Sequence, residues 1–340
     1  MARRRWKKVV GTISLIILAL VILGVTFTMG WRPFIGPKAR ALTNRTFEST
    51  PARLERGRYL VTAVTGCVAC HSERDANAPG MPPVSDKVGG GTIFGEGSDL
   101  PGRLVAPNLT PDKETGAGDW TDDMLARAIR EGIGHDGRAL FPLMPYMNYR
   151  EMPDEDLASV IVYLRSLAPV KNPLPTTEII FPVKYFMRSA PEPVIAPVPT
   201  PDLSDTVKRG AFLVRMSSCA ACHTPQDRGQ PKPGFEFAGG LLFTTPAGTV
   251  MAANITPDAS GISYYDENLF VQAFRNGKVK ARSLSPIMPW YFYRNMTDED
   301  LKAIFAYLRT LKPVKHMVDN TESPALCKLC GVKHGGGEKN

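Results

Sequence analysis

Apolar residues in this 340-residue chain fall into one unbroken run near the start and a set of helix-spaced patterns further on. From Val9 to Met29, 21 residues are interrupted only by glycine and hydroxyl side chains. At a helical rise of about 1.5 Å per residue they would cover roughly 30 Å, the hydrocarbon thickness of a bilayer. Further along, Leu157, Val160, Ile161 and Leu164 share one face of a helix predicted over Asp154–Leu167, and Leu301, Ile304, Phe305 and Leu308 do the same. Two shorter helices, Asp122–Glu131 and Asp266–Asn276, each stop at a glycine, Gly132 and Gly277. A further helix is predicted from Pro51 to Val64.

These patterns occur twice because the chain repeats itself. Arg56-Gly57-Arg58-Tyr59-Leu60-Val61 matches Arg209-Gly210-Ala211-Phe212-Leu213-Val214, and Ala106-Pro107-Asn108-Leu109-Thr110-Pro111-Asp112 matches Ala252-Ala253-Asn254-Ile255-Thr256-Pro257-Asp258. Near the end of each copy, Tyr163-Leu164-Arg165 matches Tyr307-Leu308-Arg309. A duplicated domain follows, with differences confined to loop lengths. The recurrent Gly57 and Gly210 point to a close crossing of the first and last helices of each copy, edged by Tyr163 and Tyr307. The segment between the copies holds eight prolines within residues 171–201, which argues for an extended connector without helix. Its Phe181, Tyr185 and Phe186 argue that it lies against the domains and does not swing free. The division predicted is residues 1–30 stub and anchor, 31–50 stalk, 51–170 first domain, 171–201 linker, 202–315 second domain and 316–340 tail.

Charge changes the picture at one point only. The chain carries a formal +8, but Arg3, Arg4, Arg5, Lys7 and Lys8 supply five of those charges and residues 1–30 contain no acid. What remains is too mild to argue for nucleic acid, and none is expected as a partner. A basic stub ahead of an apolar run keeps the stub inside and sends the rest of the chain outward. The run is longer than a signal-peptide core of about 7–15 residues, and Thr28-Met29-Gly30-Trp31 is a poor cleavage site. A single uncleaved span in the cytoplasmic membrane is therefore expected, with both domains on the extracytoplasmic, periplasmic side.

Chemistry enters through cysteine. All six cysteines form Cys-x-x-Cys pairs, and two of these continue into histidine: Cys67-Val68-Ala69-Cys70-His71 and Cys219-Ala220-Ala221-Cys222-His223. Two thiols on one helical turn can add to the vinyl groups of a haem, and the following imidazole then faces the iron. Zinc would need two more ligands at each pair, which the nearby sequence does not supply. Two covalently bound haem c groups are thus expected, attached through Cys67, Cys70, Cys219 and Cys222 with His71 and His223 as axial ligands. For the second axial position both copies offer methionine in the same frame, Met144 in Pro142-Leu143-Met144-Pro145-Tyr146 and Met288 in Pro286-Ile287-Met288-Pro289-Trp290. Flanking prolines hold such a loop out of helix. Met152 and Met296 also align, but they sit just before the third helix, where an apolar side chain packs as a staple. His135 has no counterpart in the second copy and reads as a loop histidine.

On these residues each copy resembles a class I cytochrome c domain. The Arg-Gly…Cys-x-x-Cys-His start, the Ala-Pro-Asn-Leu-Thr-Pro-Asp loop, Asp119-Trp120-Thr121-Asp122-Asp123, Met144-Pro145-Tyr146 and the Tyr-Leu-Arg ending together cover about two-thirds of the chain. The pair is similar to the cytochrome c subunits of membrane-bound quinoprotein alcohol dehydrogenases and related flavoprotein dehydrogenases, which typically carry three haem domains where this chain has two. The resemblance implies an all-α fold, two tandem class I cytochrome c domains after an N-terminal transmembrane helix. It also implies single-electron relay, from a dehydrogenase or quinol-oxidising complex to a terminal oxidase or soluble cytochrome, and no catalytic residues. A haem enzyme of dihaem peroxidase or thiosulfate dehydrogenase type is the alternative; it needs one haem without methionine. The third pair, Cys327-Lys328-Leu329-Cys330, is followed by Gly331 and not by histidine. A disulfide is the leading reading there, with a small metal site including His334 or His316, a vestigial haem attachment and free thiols left open.

Overall fold

The computed structural model describes residues 2–94, 100–227, 229–245, 248–280, 282–318, 325–326 and 333–334. Cys327 and Cys330 lie outside the described residues. The chain opens with helix α1 (Ala2–Thr28) and, after one turn, the short α2 (Arg32–Ile35). The first copy contributes α3 (Pro51–Tyr59), continued by a π-helical turn over Leu60–Val64, then α4 (Cys67–Cys70), α5 (Asp122–Glu131), α6 (Tyr146–Tyr149) and α7 (Asp154–Arg165). The linker holds α8 (Val183–Phe186), and the second copy repeats the order as α9 (Thr206–Met216), α10 (Cys219–His223), α11 (Glu267–Asn276), α12 (Trp290–Tyr293) and α13 (Asp298–Thr310).

The helices start and stop where their sequence chemistry allows. The Thr121 hydroxyl accepts from the Met124 amide at 3.2 Å and the Asp266 carboxylate from that of Leu269 at 2.7 Å, so each of these side chains caps a helix N-terminus. Gly132 and Gly277 end those helices in the left-handed region, with φ +71° and +63°. Helix α3 crosses α7, and α9 crosses α13, at the two glycines. A Cβ on Gly57 would lie 1.9 Å from the Ser159 carbonyl oxygen, and one on Gly210 would lie 1.9 Å from that of Ala303. Tyr163 and Tyr307 flank the two crossings, their Cβ atoms 2.7 and 2.8 Å from the same points.

The all-α expectation does not hold. Helix accounts for about 40 % of the chain, and the long loops pair into small antiparallel sheets. Strand β1 (Thr92–Phe94) pairs with β2 (Gly102–Ala106), and β2 pairs in turn with β3 (Glu178–Ile179) from the linker. In the second copy Leu242–Thr245 pairs with Gly248–Met251. The reason is local. These loops are rich in Thr, Val, Ile and Phe, and they lie partly buried, where backbone groups need partners that water cannot supply. A second difference is α8, a helical turn inside the proline-rich linker. Its four residues contain no proline, and Pro182 precedes them at a position where a missing N–H costs nothing.

Both copies share one apolar core. Leu60, Val61, Val64, Leu157 and Ile161 of the first belong to the same buried cluster as Leu213, Val214, Leu301 and Ile304 of the second. The contact is pseudo-symmetric: α6 packs on α9, and α12 packs on the Leu60–Val64 turn. Polar ties cross it as well. The Tyr59 hydroxyl meets Asp300, Arg215 pairs with Glu151, and the Asn148 amide donates to the Ser218 hydroxyl at 2.9 Å.

The stretch ahead of α3 is clamped to the first copy. Arg40 makes a two-pronged pair with Asp123 at 2.7 Å and reaches Glu131 at 2.7 Å, while the Thr43 amide donates to Asp123 at 2.7 Å. Burial alone would raise the Asp123 carboxyl, but the Arg40 and Thr43 hydrogen bonds outweigh it and hold the group at about 2. Burial pushes Glu131 upward, and Arg40 offsets only part of that.

Two outcomes are expected. Gly57→Ala or Gly210→Ala should each destabilise the chain by about 1–3 kcal/mol or more, read from denaturant melts, because backbone and not a movable side chain blocks the new methyl. The Asp123 carboxyl ionises at lower pH folded than unfolded, so its contribution is full above about pH 4 and is lost as pH falls toward 2. Melts of the protein and of Asp123→Asn across that range should therefore converge at the acid end.

Candidate functional site

Each Cys-x-x-Cys-His motif begins with a residue in the left-handed conformation. Gly66 (φ +60°) precedes α4 and Ser218 (φ +57°) precedes α10. The turn that follows closes with the His71 amide donating to the Cys67 carbonyl at 2.9 Å. Glycine accepts this geometry freely, whereas Ser218 holds it at a cost, and the Asn148 amide from the other copy is bonded to its hydroxyl.

The histidines are positioned by a loop to which residue order alone assigns no role. Nδ1 of His71 lies 2.8 Å from the carbonyl oxygen of Pro107, and Nδ1 of His223 lies 2.7 Å from that of Ala253. A ring that donates from Nδ1 carries its lone pair on Nε2, the tautomer a metal needs, and the bond fixes the ring's rotation. Burial lowers the pKa of both imidazoles, which keeps them neutral. The carbonyls are themselves braced. Asn108, next to Pro107, donates to the Val170 carbonyl at 2.6 Å and accepts from the Thr110 amide at 3.0 Å. Asn254 does the same with Val314 at 2.9 Å and Thr256 at 2.9 Å. The repeated Asn-x-Thr signal was visible in the sequence; its task was not.

Cys67, Cys219 and Cys222 are half-buried. Burial pushes the thiol of Cys67 up to about 11 and that of Cys219 up to about 12, the opposite of what a redox dithiol requires. Among the described residues no cluster of three or more His, Cys, Asp or Glu forms a metal site. Burial, and then the charge of Cys70 from the other copy, raise the Cys222 thiol to about 11. Tyr149 and Tyr293 are buried beside the motifs, with hydroxyls donating to the carbonyls of Thr65 at 3.1 Å and Ser217 at 2.8 Å.

Met144 and Met288 are half-buried at the edge of the shared core, each in a loop followed by a short helix. Met152 and Met296 are fully buried, with their carbonyls taken by Arg130 and Arg275. His135 stacks on Trp120 with ring centroids 4.2 Å apart. Two residues beyond each methionine, Tyr146 is 0 % and Trp290 is 8 % exposed, yet the Tyr146 hydroxyl and the Trp290 indole N–H have no hydrogen-bond partner among the described residues. Each ring lies on a left-handed glycine, Gly132 or Gly277, where a Cβ would collide at 2.6 or 2.3 Å. A buried donor without an acceptor costs about 1–3 kcal/mol, so the same unpartnered position in both copies marks a place where a bound group could supply the acceptor. A neutral imidazole with Nε2 available, paired thiols on one turn and a lone buried donor beside a thioether fit haem c.

The chain's sequence matches the cytochrome c family over residues 54–168 and 207–312. It belongs to the cytochrome c family. Haem c is the cofactor of this cytochrome. It is 34 % identical over 225 residues to a subunit of nicotinate dehydrogenase from Pseudomonas putida, covering 61 % of this chain and 17 % of that one. It is 32 % identical over 287 residues to the fructose dehydrogenase cytochrome subunit of Gluconobacter japonicus, covering 78 % and 54 %. A diheme cytochrome c-type protein of Cereibacter sphaeroides is 27 % identical over 283 residues, covering 79 % and 89 %. The chain thus spans about a sixth and about half of the two dehydrogenase subunits, and most of the dihaem protein.

Removing the brace behind one histidine tests this part of the site. Asn108→Ala leaves both haem cysteines and His71 in place but frees the Pro107 carbonyl. It should cost about 1–3 kcal/mol in denaturant melts, and the signals of one haem alone should broaden or shift in the ferric NMR spectrum.

Proposed function

We propose that this cytochrome c carries two haems, one per copy, and relays single electrons on the outer face of a cytoplasmic membrane. In this reading Cys67 and Cys70 attach one group and Cys219 and Cys222 the other. His71 with Met144 would hold one iron, and His223 with Met288 the other. Bound in this way, haem c supplies a one-electron ferric/ferrous couple whose potential is raised by thioether ligation. What the chain's own residues contribute is restraint. The Pro107 and Ala253 carbonyls hold each imidazole in one tautomer and rotation, so little needs to reorganise when charge changes. With both axial positions taken by protein side chains no site is left open for substrate, which favours relay over peroxidase or thiosulfate chemistry.

The observation that carries this reading is the duplicated arrangement of histidine, bracing carbonyl and methionine loop around one shared core. The apolar core that the two copies share, with α6 packed on α9, supports passage of an electron from one copy to the other within a single chain. The donor is read as a dehydrogenase or quinol-oxidising complex, in keeping with the named relatives, and the acceptor as a terminal oxidase or soluble cytochrome. Helix α1 is the one helix among the described residues long and apolar enough to cross a membrane, and its apolar stretch, Arg5–Thr28, is not buried by the protein. We read it as a retained anchor.

Intact mass after acid–acetone extraction should show two haems retained. Met144→Ala and Met288→Ala should each turn one haem high-spin and remove half of the thioether–iron absorption band, while Met152→Ala and Met296→Ala should leave that band whole. Loss of the band in either of the latter pair would overturn the ligand assignment.

A further inference from the structure

The linker between the two copies presents an apolar and basic surface that neither copy uses. Ile180, Phe181 and Phe186 are exposed, Phe181 at 76 %, and Phe34 and Ile35 of α2 are exposed beside them, Ile35 at 69 %. Soluble surfaces scatter such residues singly; here they are gathered on two segments that pack on each other. Helix α2 packs against α8 and the turn after it, and Arg188 donates to the Pro33 carbonyl at 3.0 Å. At its other end α2 is tied to the apolar helix, since the indole N–H of Trp31 donates to the Thr26 hydroxyl in the last turn of α1 at 3.1 Å. The linker is thereby held close to the point where α1 ends.

Its charge is one-sided. Residues 31–38 and 179–190 contain Arg32, Lys38, Lys184 and Arg188 and no acid. Glu178 and Glu192, the nearest acids along the chain, are paired with Arg103 at 2.8 Å and Arg150 at 3.6 Å. Lys184 and Arg188 both lie over the Tyr185 ring, at 5.2 and 4.7 Å from its centroid. Aromatic rings with an apolar body and cations at their rim are what a bilayer's headgroup layer accommodates, and each basic residue near an anionic surface adds attraction.

We propose that residues 179–190, with Trp31, Phe34 and Ile35, form a second membrane contact that lies in the headgroup layer of an anionic phospholipid surface. The proposal rests on the reading of α1 as a retained anchor. The chain is then held at two places, by a span and by the connector that joins its two haem domains. The linker's aromatic residues have a task other than packing, and both domains keep a fixed height above the lipid. Redox partners must reach them from the side or from above.

The experiment uses the full haem-loaded chain in vesicles containing a phospholipid with a photoactivatable group near its glycerol backbone, followed by mass mapping of lipid adducts. Adducts are expected on residues 9–29 and also on 179–190. The exposed triple variant Ile180→Ser, Phe181→Ser, Phe186→Ser should lose the second set several-fold and keep the first, with both haems retained. Replacing neutral by anionic lipid should raise the yield on 179–190, and Lys184→Ala with Arg188→Ala should abolish that rise. Adducts confined to 9–29 would overturn the proposal and leave the patch as a protein-docking face. A yield on 179–190 indifferent to lipid charge would overturn its anionic selectivity. Adducts on neither segment, with the chain recovered in the soluble fraction, would remove the anchor reading and the proposal with it.

Discussion

The hydrogen bond from the histidine of each Cys-x-x-Cys-His motif to a loop carbonyl is the contact on which the two domains depend. It joins the start of the domain, where the Cys-x-x-Cys-His turn lies, to a loop some thirty residues later, and that loop is tied by an asparagine to the chain just after the last helix. One bond therefore organises three distant segments around a single imidazole. Without it the ring could turn, and the motif would lose one of the bonds that tie it to the loop. A metal site whose outer partners are backbone carbonyls gains rigidity without adding charge near the redox centre.

A second constraint is the absence of a side chain at Gly57 and Gly210. With backbone of the last helix under 2 Å from where a Cβ would sit, the first and last helices are as close as two backbones permit. This leaves the remaining faces of both helices free to line the core and to meet the other copy. The shared cluster that results makes the pair one body, with Tyr149 and Tyr293 buried in it and bonded to the carbonyls just ahead of the two motifs. The polar pairs across the contact, Tyr59 with Asp300 and Arg215 with Glu151, set the register of a surface that apolar packing alone would leave free to slide.

The sheets have the same origin as the bracing carbonyls. Loops of this length cannot be left unpaired where they are half-covered, so they pair with each other, or with the linker as β2 does with β3. The linker consequently belongs to the first domain at its start and to the segment above the apolar helix at α8. A connector whose composition argues only for extended chain is a structural element with two attachments.

Much of this was legible in residue order alone. The periodic faces at Leu157 and Leu301, the glycine stops at Gly132 and Gly277, and the thiol pairs followed by histidine are local, because helix period and covalent attachment are properties of residues a few positions apart. The duplication then aligned Met144 with Met288 and Met152 with Met296; the first pair is half-buried and the second fully buried. Tertiary structure decided what depends on partners far along the chain. The Pro107 and Ala253 carbonyls carry no residue signature, since any residue has a carbonyl. The donors of Tyr146 and Trp290, unpartnered among the described residues, emerge only once the fold is built, and the strand pairing that displaced the all-α expectation depends on which half-buried loops lie side by side. Sequence determines which groups are available and where helices turn; only the fold determines which backbone oxygen meets which ring, because a backbone hydrogen bond selects by position and not by side-chain identity.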